Sequence, residues 1–202
     1  MFRKSLIVSV FALISCTAFG QGLKIGDKAP DFNLKSTEGK LISLSGIQGN
    51  KGAIVVFTCN HCPFSIAYED RIIALHKKFS SLGYPVVAIN PNDAQKVPEE
   101  SFKHMKKRAK EKSFPFVYLQ DETQETAKAY GATRTPHVFI LQREADGTYV
   151  LMYIGAIDNN TDDPAAADKK YVENAVTELL LGNTVSLTNT KAIGCSIKWK
   201  KP

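Results

Sequence analysis

The sequence of 202 residues has only four cysteines and no internal repeat or low-complexity tract. Two of the cysteines form a Cys-x-x-Cys pair, and no second cysteine or histidine pair accompanies it at the spacing of a structural zinc site. The one apolar run near the N-terminus, residues 6–14, is too short to cross a bilayer as a permanent helix. These absences disfavour a structural zinc protein and an integral membrane protein.

The composition, with 44% hydrophobic and 23% charged residues, is typical of one soluble domain that is large enough to bury a core. A basic cluster at residues 103–112 contributes to the net charge of +6. We interpret it as the solvated side of a helix that has Phe102, Met105 and Ala109 on its apolar face. No nucleic-acid recognition module accompanies the charge, so nucleic acid is not an expected partner. An acidic partner or an anionic membrane surface stays open.

Residues 1–20 have the layout of an export signal, with two basic residues, an apolar run and then small residues. Cleavage after this segment gives a mature chain that begins at Gln21. In a competing interpretation, residues 13–16 resemble a lipobox, and Cys16 then carries lipid that anchors the protein to a membrane. Both interpretations predict secretion across the inner membrane and a periplasmic domain, which is membrane-attached only if Cys16 is lipidated.

Apolar periodicity and turn residues predict alternating strands and helices. We expect strands at 32–35, 40–43, 53–57, 86–89, 116–119, 137–141 and 149–154, and helices at 61–82, from Pro98 onward, at 122–130 and at 169–181. Strands separated by helices, followed by a terminal hairpin and helix, imply an α/β fold with a mixed sheet between helices. The predicted domain spans residues 21–182, and residues 183–202 form a tail that the sequence does not place.

The Cys59-Asn60-His61-Cys62 motif follows an apolar strand and opens a helix. Two cysteines at this spacing can form and break a disulfide. The dipole of the helix favours negative charge at its N-terminus, so we expect the pKa of Cys59 to fall and its thiolate to attack. Cys62 is then placed to resolve the mixed disulfide, and a protonated His61 favours the thiolate and sets the redox poise.

If Cys16 belongs to the signal, three cysteines remain in the folded chain, namely Cys59, Cys62 and Cys195. An odd number in an oxidising compartment indicates a free reactive thiol or one that pairs transiently. Cys195 is therefore either a structural or idle thiol, or an additional resolving cysteine or a link to a partner.

Several short motifs recur together along the chain. They are the segment 26–32, the strand that leads into the Cys59 motif, Phe114-Pro115 before a strand, Asp121, the segment 129–132, and Thr135-Pro136. Over residues 23–157 this arrangement resembles the thioredoxin-fold redoxins, specifically the peroxiredoxin-like AhpC/TSA-type branch. The resemblance implies a thioredoxin-like fold with a peroxiredoxin-like N-terminal hairpin and an inserted helix. The redox-active disulfide would serve the chemistry, without a cofactor or metal.

The resemblance also implies that the Thr135-Pro136 bond is cis and that its loop lies against the cysteines, where it docks an extended partner peptide. An ordinary trans proline at the start of a strand is the alternative. Arg134 either corresponds to the thiolate-activating arginine of peroxiredoxins or is a surface residue.

The chain departs from the sequence patterns of both peroxiredoxins and thioredoxins. Peroxiredoxins have a threonine or serine three residues before the peroxidatic cysteine, whereas Val56 precedes Cys59 by three. Thioredoxins have an aspartate buried beneath the pair, whereas this chain has Ala53 six residues before Cys59. The sequence therefore locates no buried base, and His61, Glu69 or water are the candidates for proton transfer.

Three functions are compatible with these features. The leading one is an extracytoplasmic thiol–disulfide oxidoreductase that exchanges with protein thiols or disulfides and with an electron-exchange partner. The second is a thiol peroxidase in which Cys59 is peroxidatic and Cys62 or Cys195 resolves. The third is a Cu(I) carrier that uses Cys59, Cys62 and His137, since soft thiolates suit that ion.

Overall fold

A computed structural model describes residues 22–47 and 51–201. The predicted signal segment and Cys16 lie outside the described residues, so export and lipidation stay predictions. In the two described segments, no helix is long and apolar enough to span a membrane.

The elements follow the predicted order. The strands are β1 (Asn33–Ser36), β2 (Leu41–Ser43), β3 (Gly52–Phe57), β4 (Val86–Asn90), β5 (Val117–Gln120), β6 (Arg134–Thr135), β7 (His137–Arg143), β8 (Tyr149–Gly155) and β9 (Cys195–Ser196). The helices are α1 (Pro63–Phe79), α2 (Phe102–Glu111), α3 (Glu125–Tyr130) and α4 (Tyr171–Leu180). Only β6 and β9 have no counterpart among the predicted elements.

A seven-stranded mixed sheet, in the order β2-β1-β5-β4-β3-β7-β8, forms the centre of the described fold. The strands β3, β4 and β5 pair in parallel, and the other pairs in this sheet are antiparallel. The predicted α/β fold with a mixed sheet and an N-terminal hairpin is therefore confirmed. A separate two-stranded sheet joins β6 to β9.

The central strand β3 is buried along its whole length, because both faces of the sheet are covered. Side chains alternate between the faces. Ile54 and Val56 enter one core cluster, which includes Ile72 of α1, whereas Val55 and Phe57 enter the other. Covering both faces fixes the position of the loop that follows β3, and this loop carries the Cys-x-x-Cys motif.

Several predicted helix boundaries were wrong, among them the start of α3, which is Glu125 and not residue 122. Helix α1 begins at Pro63, because Cys62 has an extended backbone and caps the helix; its C-terminal end continues into a separate 3₁₀ turn. The basic helix α2 begins only at Phe102, since Pro98–Glu100 forms its own 3₁₀ turn. That turn directs the side chain of Glu100 inward, where it is buried.

The segment 183–202, predicted as a tail, packs against the domain over its described part. Strand β9 pairs antiparallel with β6, so that Thr135 lies opposite Cys195. Ile197 is only 4% exposed and belongs to the core cluster that contains Phe57. The described end of the chain is thus part of the tertiary structure.

Substitution of a buried tail residue should therefore destabilise the whole domain. We expect Ile197→Ala to lower the free energy of unfolding by about 2–5 kcal/mol, because it leaves a cavity in the core. Urea denaturation followed by circular dichroism measures the change. Ile193→Ala is the matched control, since Ile193 lies in the same segment but is 42% exposed; it should change stability by less than about 0.5 kcal/mol. Equal effects of the two substitutions would show that the tail is not part of the core.

Candidate active site

The Cys-x-x-Cys loop lies where two parallel strands end. Strands β3 and β4 are parallel neighbours, so the segments that follow them emerge at the same edge of the sheet. The segment after β3 contains Cys59 and Cys62, and the segment after β4 leads to Glu100. This edge is the usual location of sites in open α/β sheets.

The structure brings all three described cysteines to this edge, in a pairing that the sequence did not indicate. Cys62 is disulfide-bonded to Cys195, with their Cα atoms 6.2 Å apart, and Cys59 is a free thiol. The expected Cys59–Cys62 bond is therefore not the one present in this structure. The reason lies in the pairing of β9 with β6, which places Cys195 beside Cys62.

Thr135 contacts both sulfurs of the Cys-x-x-Cys motif. Its hydroxyl Oγ1 lies 3.2 Å from Cys59 Sγ, and its carbonyl oxygen lies 3.5 Å from Cys62 Sγ. The peptide bond from Thr135 to Pro136 is cis, as the resemblance implied. The predicted site residues Cys59, Cys62, Thr135 and Pro136 are thus brought together, and β9 occupies the backbone edge of Thr135.

The expectation of a lowered pKa for Cys59 was wrong in this state of the protein. Burial raises the pKa of the Cys59 thiol, which is only 3% exposed, and the carboxylate of Glu100 raises it further. Hydrogen bonding with Ser65, Thr135 and the Cys62 amide lowers this pKa and partly opposes these two effects. Cys59 lies three residues before Cys62, the cap of α1, so the helix dipole acts on it only weakly. The desolvation of Cys59 therefore outweighs the effect of the dipole on its pKa.

A buried carboxylate, Glu100, lies beneath the motif. Its two oxygens accept hydrogen bonds from the backbone amides of Asn60 and His61, at 2.8 and 3.2 Å. The side-chain amides of Asn90 and Asn92 donate to the same carboxylate, at 2.9 and 3.4 Å. Glu100 therefore fixes the conformation of the loop between the two cysteines.

Sequence reasoning missed Glu100, because it assigned this residue to the first turn of the basic helix. The signal that could have indicated Glu100 was the order of the strands in the sheet. A residue that follows β4 can reach the loop after β3 only if the two strands are parallel neighbours. Asn60 was missed as well; its side chain accepts a hydrogen bond from the Tyr118 hydroxyl and donates to the Glu99 carbonyl, each at 2.8 Å.

The candidates for proton transfer occupy different environments. The side chain of His61 is half exposed, and its Nδ1 lies 3.9 Å from Glu100 Oε1. Glu69 is buried, but its carboxylate is paired with the guanidinium of Arg108, at 2.6 and 2.7 Å, and approached by Lys112 at 3.5 Å. His61 is thus the member of this set that connects the buried carboxylate Glu100 to solvent.

The remaining predicted residues lie at the margin of the site. Arg134 is exposed, and its guanidinium donates to the Gly194 carbonyl at 3.3 Å, so it contacts the segment that carries Cys195. His137 is buried in β7, its Nδ1 accepts a hydrogen bond from the Thr133 amide at 3.4 Å, and burial lowers its pKa to about 4. Across residues 22–47 and 51–201, no group of three or more His, Cys, Asp or Glu side chains has metal-binding geometry.

Fold and site together define a thioredoxin-fold redoxin, in which cysteine sulfurs lie beside a cis-proline loop at the edge of a mixed sheet. The sequence profile of the AhpC/TSA family matches residues 25–150, and the chain belongs to this family.

Two examples of solved structures with a similar fold follow from the comparison. One, an uncharacterized conserved protein from Geobacillus kaustophilus, is 36% identical, has a TM-score of 0.82, and aligns over 89% of this chain and 94% of its own. The other is a putative thiol:disulfide interchange protein DsbE from Chlorobium tepidum, with 24% identity, a TM-score of 0.57 and coverage of 79% and 99%. This second likeness concerns the fold alone.

Among curated proteins, the chain is 28% identical over 142 residues to the chloroplastic peroxiredoxin Q of Oryza sativa subsp. japonica. The match covers 69% of this chain and spans about 60% of the length of that relative. Membership of the AhpC/TSA family and the likeness to a peroxiredoxin support an oxidoreductase.

Glu100→Gln should lower the pKa of Cys59, because it removes a negative charge that disfavours the thiolate. In a Cys16→Ser background, Cys59 is the titrating thiol, and its ¹³Cβ chemical shift against pH reports the pKa. The variant should also lose about 1–3 kcal/mol of stability, since an amide oxygen and amide nitrogen cannot accept all the hydrogen bonds of a carboxylate.

Glu99→Gln is the matched control for this titration. Glu99 is the neighbouring residue, but its side chain is exposed. This variant should leave the titration of Cys59 unchanged. An unchanged curve for Glu100→Gln, or an equal shift in both variants, would mean that the buried carboxylate does not set the protonation of Cys59.

Proposed function

We propose that the protein is an extracytoplasmic thiol–disulfide oxidoreductase in which Cys59 and Cys62 cycle between dithiol and disulfide. The observation that carries this proposal is the contact of Thr135 with both sulfurs, which keeps a free thiol next to a cysteine already in a disulfide. A sulfur held beside a disulfide is the arrangement that thiol–disulfide exchange requires.

In the proposed cycle the Cys59 thiolate attacks a disulfide of a partner protein, and one partner sulfur leaves as a thiolate. Cys62, reduced in this part of the cycle, then attacks Cys59 and releases the second partner thiolate. The partner gains two electrons, and the Cys59–Cys62 disulfide forms. In the reverse direction the same disulfide accepts two electrons from a partner dithiol. The direction in which the cycle runs in the cell depends on the electron-exchange partner.

Two groups can assist proton transfer during this cycle. Cys59 is protonated at neutral pH in the described state, because burial and the Glu100 carboxylate raise its pKa. His61 connects that carboxylate to solvent, since its side chain is half exposed. We assign His61 the role of exchanging protons between the site and water, and Thr135 the role of donating a hydrogen bond to the Cys59 thiolate.

The extracytoplasmic location is part of the proposal. It is supported by the export-signal layout of residues 1–20. The disulfide between Cys62 and Cys195 also supports it, because such bonds persist in oxidising compartments.

Insulin reduction by dithiothreitol measures the proposed activity. Cys59→Ser and Cys62→Ser should each lower the catalysed rate at least about 100-fold, since either one removes a sulfur from the cycle. Cys16→Ser, assayed as the purified protein, is the control and should retain the rate. Full activity in Cys59→Ser would exclude the cycle.

A thiol peroxidase is the second candidate, and one observation favours it. The hydroxyls of Thr135 and Ser65 lie 3.2 and 3.4 Å from Cys59 Sγ. Each can donate a hydrogen bond to a peroxide oxygen, which Val56, three residues before Cys59, cannot do. In this reaction the Cys59 thiolate attacks one peroxide oxygen, hydroxide leaves, and a sulfenic acid forms. A free thiol of Cys62 or Cys195 then condenses with it and releases water.

Stopped-flow mixing of the reduced protein with hydrogen peroxide tests this candidate. If the protein is a peroxidase, the second-order rate constant should exceed that of free cysteine at least about 100-fold, and Thr135→Val should lower it by removing the hydroxyl next to Cys59. Ser65→Ala tests the other hydroxyl in the same way. A rate no faster than that of free cysteine excludes peroxidase activity and leaves the exchange cycle unaffected.

A further inference from the structure

Cys195 differs from the other two site cysteines in its exposure. Cys59 and Cys62 are 3% and 2% exposed, whereas Cys195 is partly exposed on the two-residue strand β9. An external thiolate attacks a disulfide at the sulfur that it can reach. In the described state, access therefore favours attack at Cys195 over attack at Cys62.

Attack at Cys195 expels Cys62, and Cys62 caps the N-terminus of the 17-residue helix α1. The dipole at this end of a helix favours a thiolate on Cys62, whereas the burial of Cys62 opposes it. Access to the partly exposed Cys195 therefore decides which sulfur is attacked.

We propose that Cys195 is a third redox-active cysteine, at which the thiolate of a partner protein dithiol enters the cycle. The proposal rests on the exchange activity proposed above and identifies the sulfur that the partner contacts first. The partner sulfur bonds to Cys195 Sγ, the Cys62–Cys195 bond breaks, and Cys62 leaves as a thiolate.

The second partner thiol then attacks the partner sulfur in the mixed disulfide and releases the Cys195 thiolate. The partner dithiol loses two electrons and becomes a disulfide. The two electrons reduce the Cys62–Cys195 bond, and the two partner protons end on Cys62 and Cys195. The protein then carries the reduced Cys59 and Cys62 that the proposed cycle uses.

The segment around Cys195 has contacts that keep it in place after the bond opens. The Lys198 carbonyl accepts a hydrogen bond from the Asp93 amide, and the Lys198 amide donates to Asn92 Oδ1, each at 2.9 Å. Gln124 donates to the Lys198 carbonyl at 2.9 Å, and Ile197 remains buried between these contacts and β9. Cys195 thus stays next to Cys62. Once the proposed cycle has formed the Cys59–Cys62 disulfide, the Cys195 thiolate can attack Cys62, the Cys59–Cys62 bond breaks, and Cys59 leaves as a thiolate. This exchange restores the Cys62–Cys195 disulfide without a further oxidant.

Glutathione disulfide is a defined probe of which cysteine can be reached from outside. When the Cys195 thiolate attacks it, a mixed disulfide forms on Cys195, which is the reverse of the step in which the partner releases Cys195. In a Cys16→Ser background, the reduced Cys62→Ser variant contains Cys59 and Cys195, and the reduced Cys195→Ser variant contains Cys59 and Cys62. Mass spectrometry after acid quenching identifies the modified cysteine and gives its initial rate.

We expect glutathione on Cys195 in the Cys62→Ser variant, at an initial rate at least about tenfold above that at Cys59 in the same protein. The first modification of the Cys195→Ser variant should be slower by a similar factor, because both of its sulfurs are buried. Modification of Cys59 or Cys62 as fast as that of Cys195 would overturn the proposal.

The insulin assay separates failure of this inference from failure of the proposed function. We expect Cys195→Ser to slow catalysis at least about tenfold, and Ser196→Ala, at the neighbouring exposed position of β9, to retain the rate. Full activity in Cys195→Ser, together with its loss in Cys59→Ser and Cys62→Ser, would overturn the role of Cys195 and leave the two-cysteine cycle intact. Full activity in all three cysteine variants would exclude the proposed function itself.

Discussion

The described site depends on one residue, Thr135, which is held by the sheet and contacts every sulfur-bearing segment. Its hydroxyl reaches Cys59, its carbonyl lies against Cys62, and its backbone pairs with Cys195. Since β7 begins two residues later, the position of Thr135 is set by the central sheet. Cys195 is thereby brought beside the Cys-x-x-Cys motif, although it lies 133 positions after Cys62 in the sequence.

The second constraint is electrostatic. The Glu100 carboxylate is buried beneath the cysteine loop and is satisfied by backbone amides and by asparagine side chains. A buried charge with so many donors orders the loop, but it also disfavours a second negative charge on Cys59. The same group thus stabilises the geometry for exchange and holds the thiol in its protonated form. Attack by Cys59 requires that its thiol lose a proton. His61 connects the neighbouring Glu100 carboxylate to solvent.

Much of the fold follows from local patterns, and much of the site does not. The apolar run of β3 and the stripe of α1 predicted their elements, because burial imposes a periodicity that the sequence displays. Resemblance placed Thr135 and Pro136 beside the motif. The partner of Cys62 and the inward turn of Glu100 depend on which strands are neighbours, which no local pattern encodes. The sign of the pKa shift at Cys59 was missed for the same reason, since desolvation is a tertiary property.

The Cys62–Cys195 bond joins residues that are 133 positions apart, so it closes the chain from α1 to β9 into one ring. In the chain-entropy account, a ring of this size restricts the unfolded chain and stabilises the native state by about 5 kcal/mol. Opening the bond removes that restriction. If the bond is used in turnover, the enzyme alternates between a cross-linked and a linear polypeptide, and resistance to heat and proteases varies with the redox state of its surroundings.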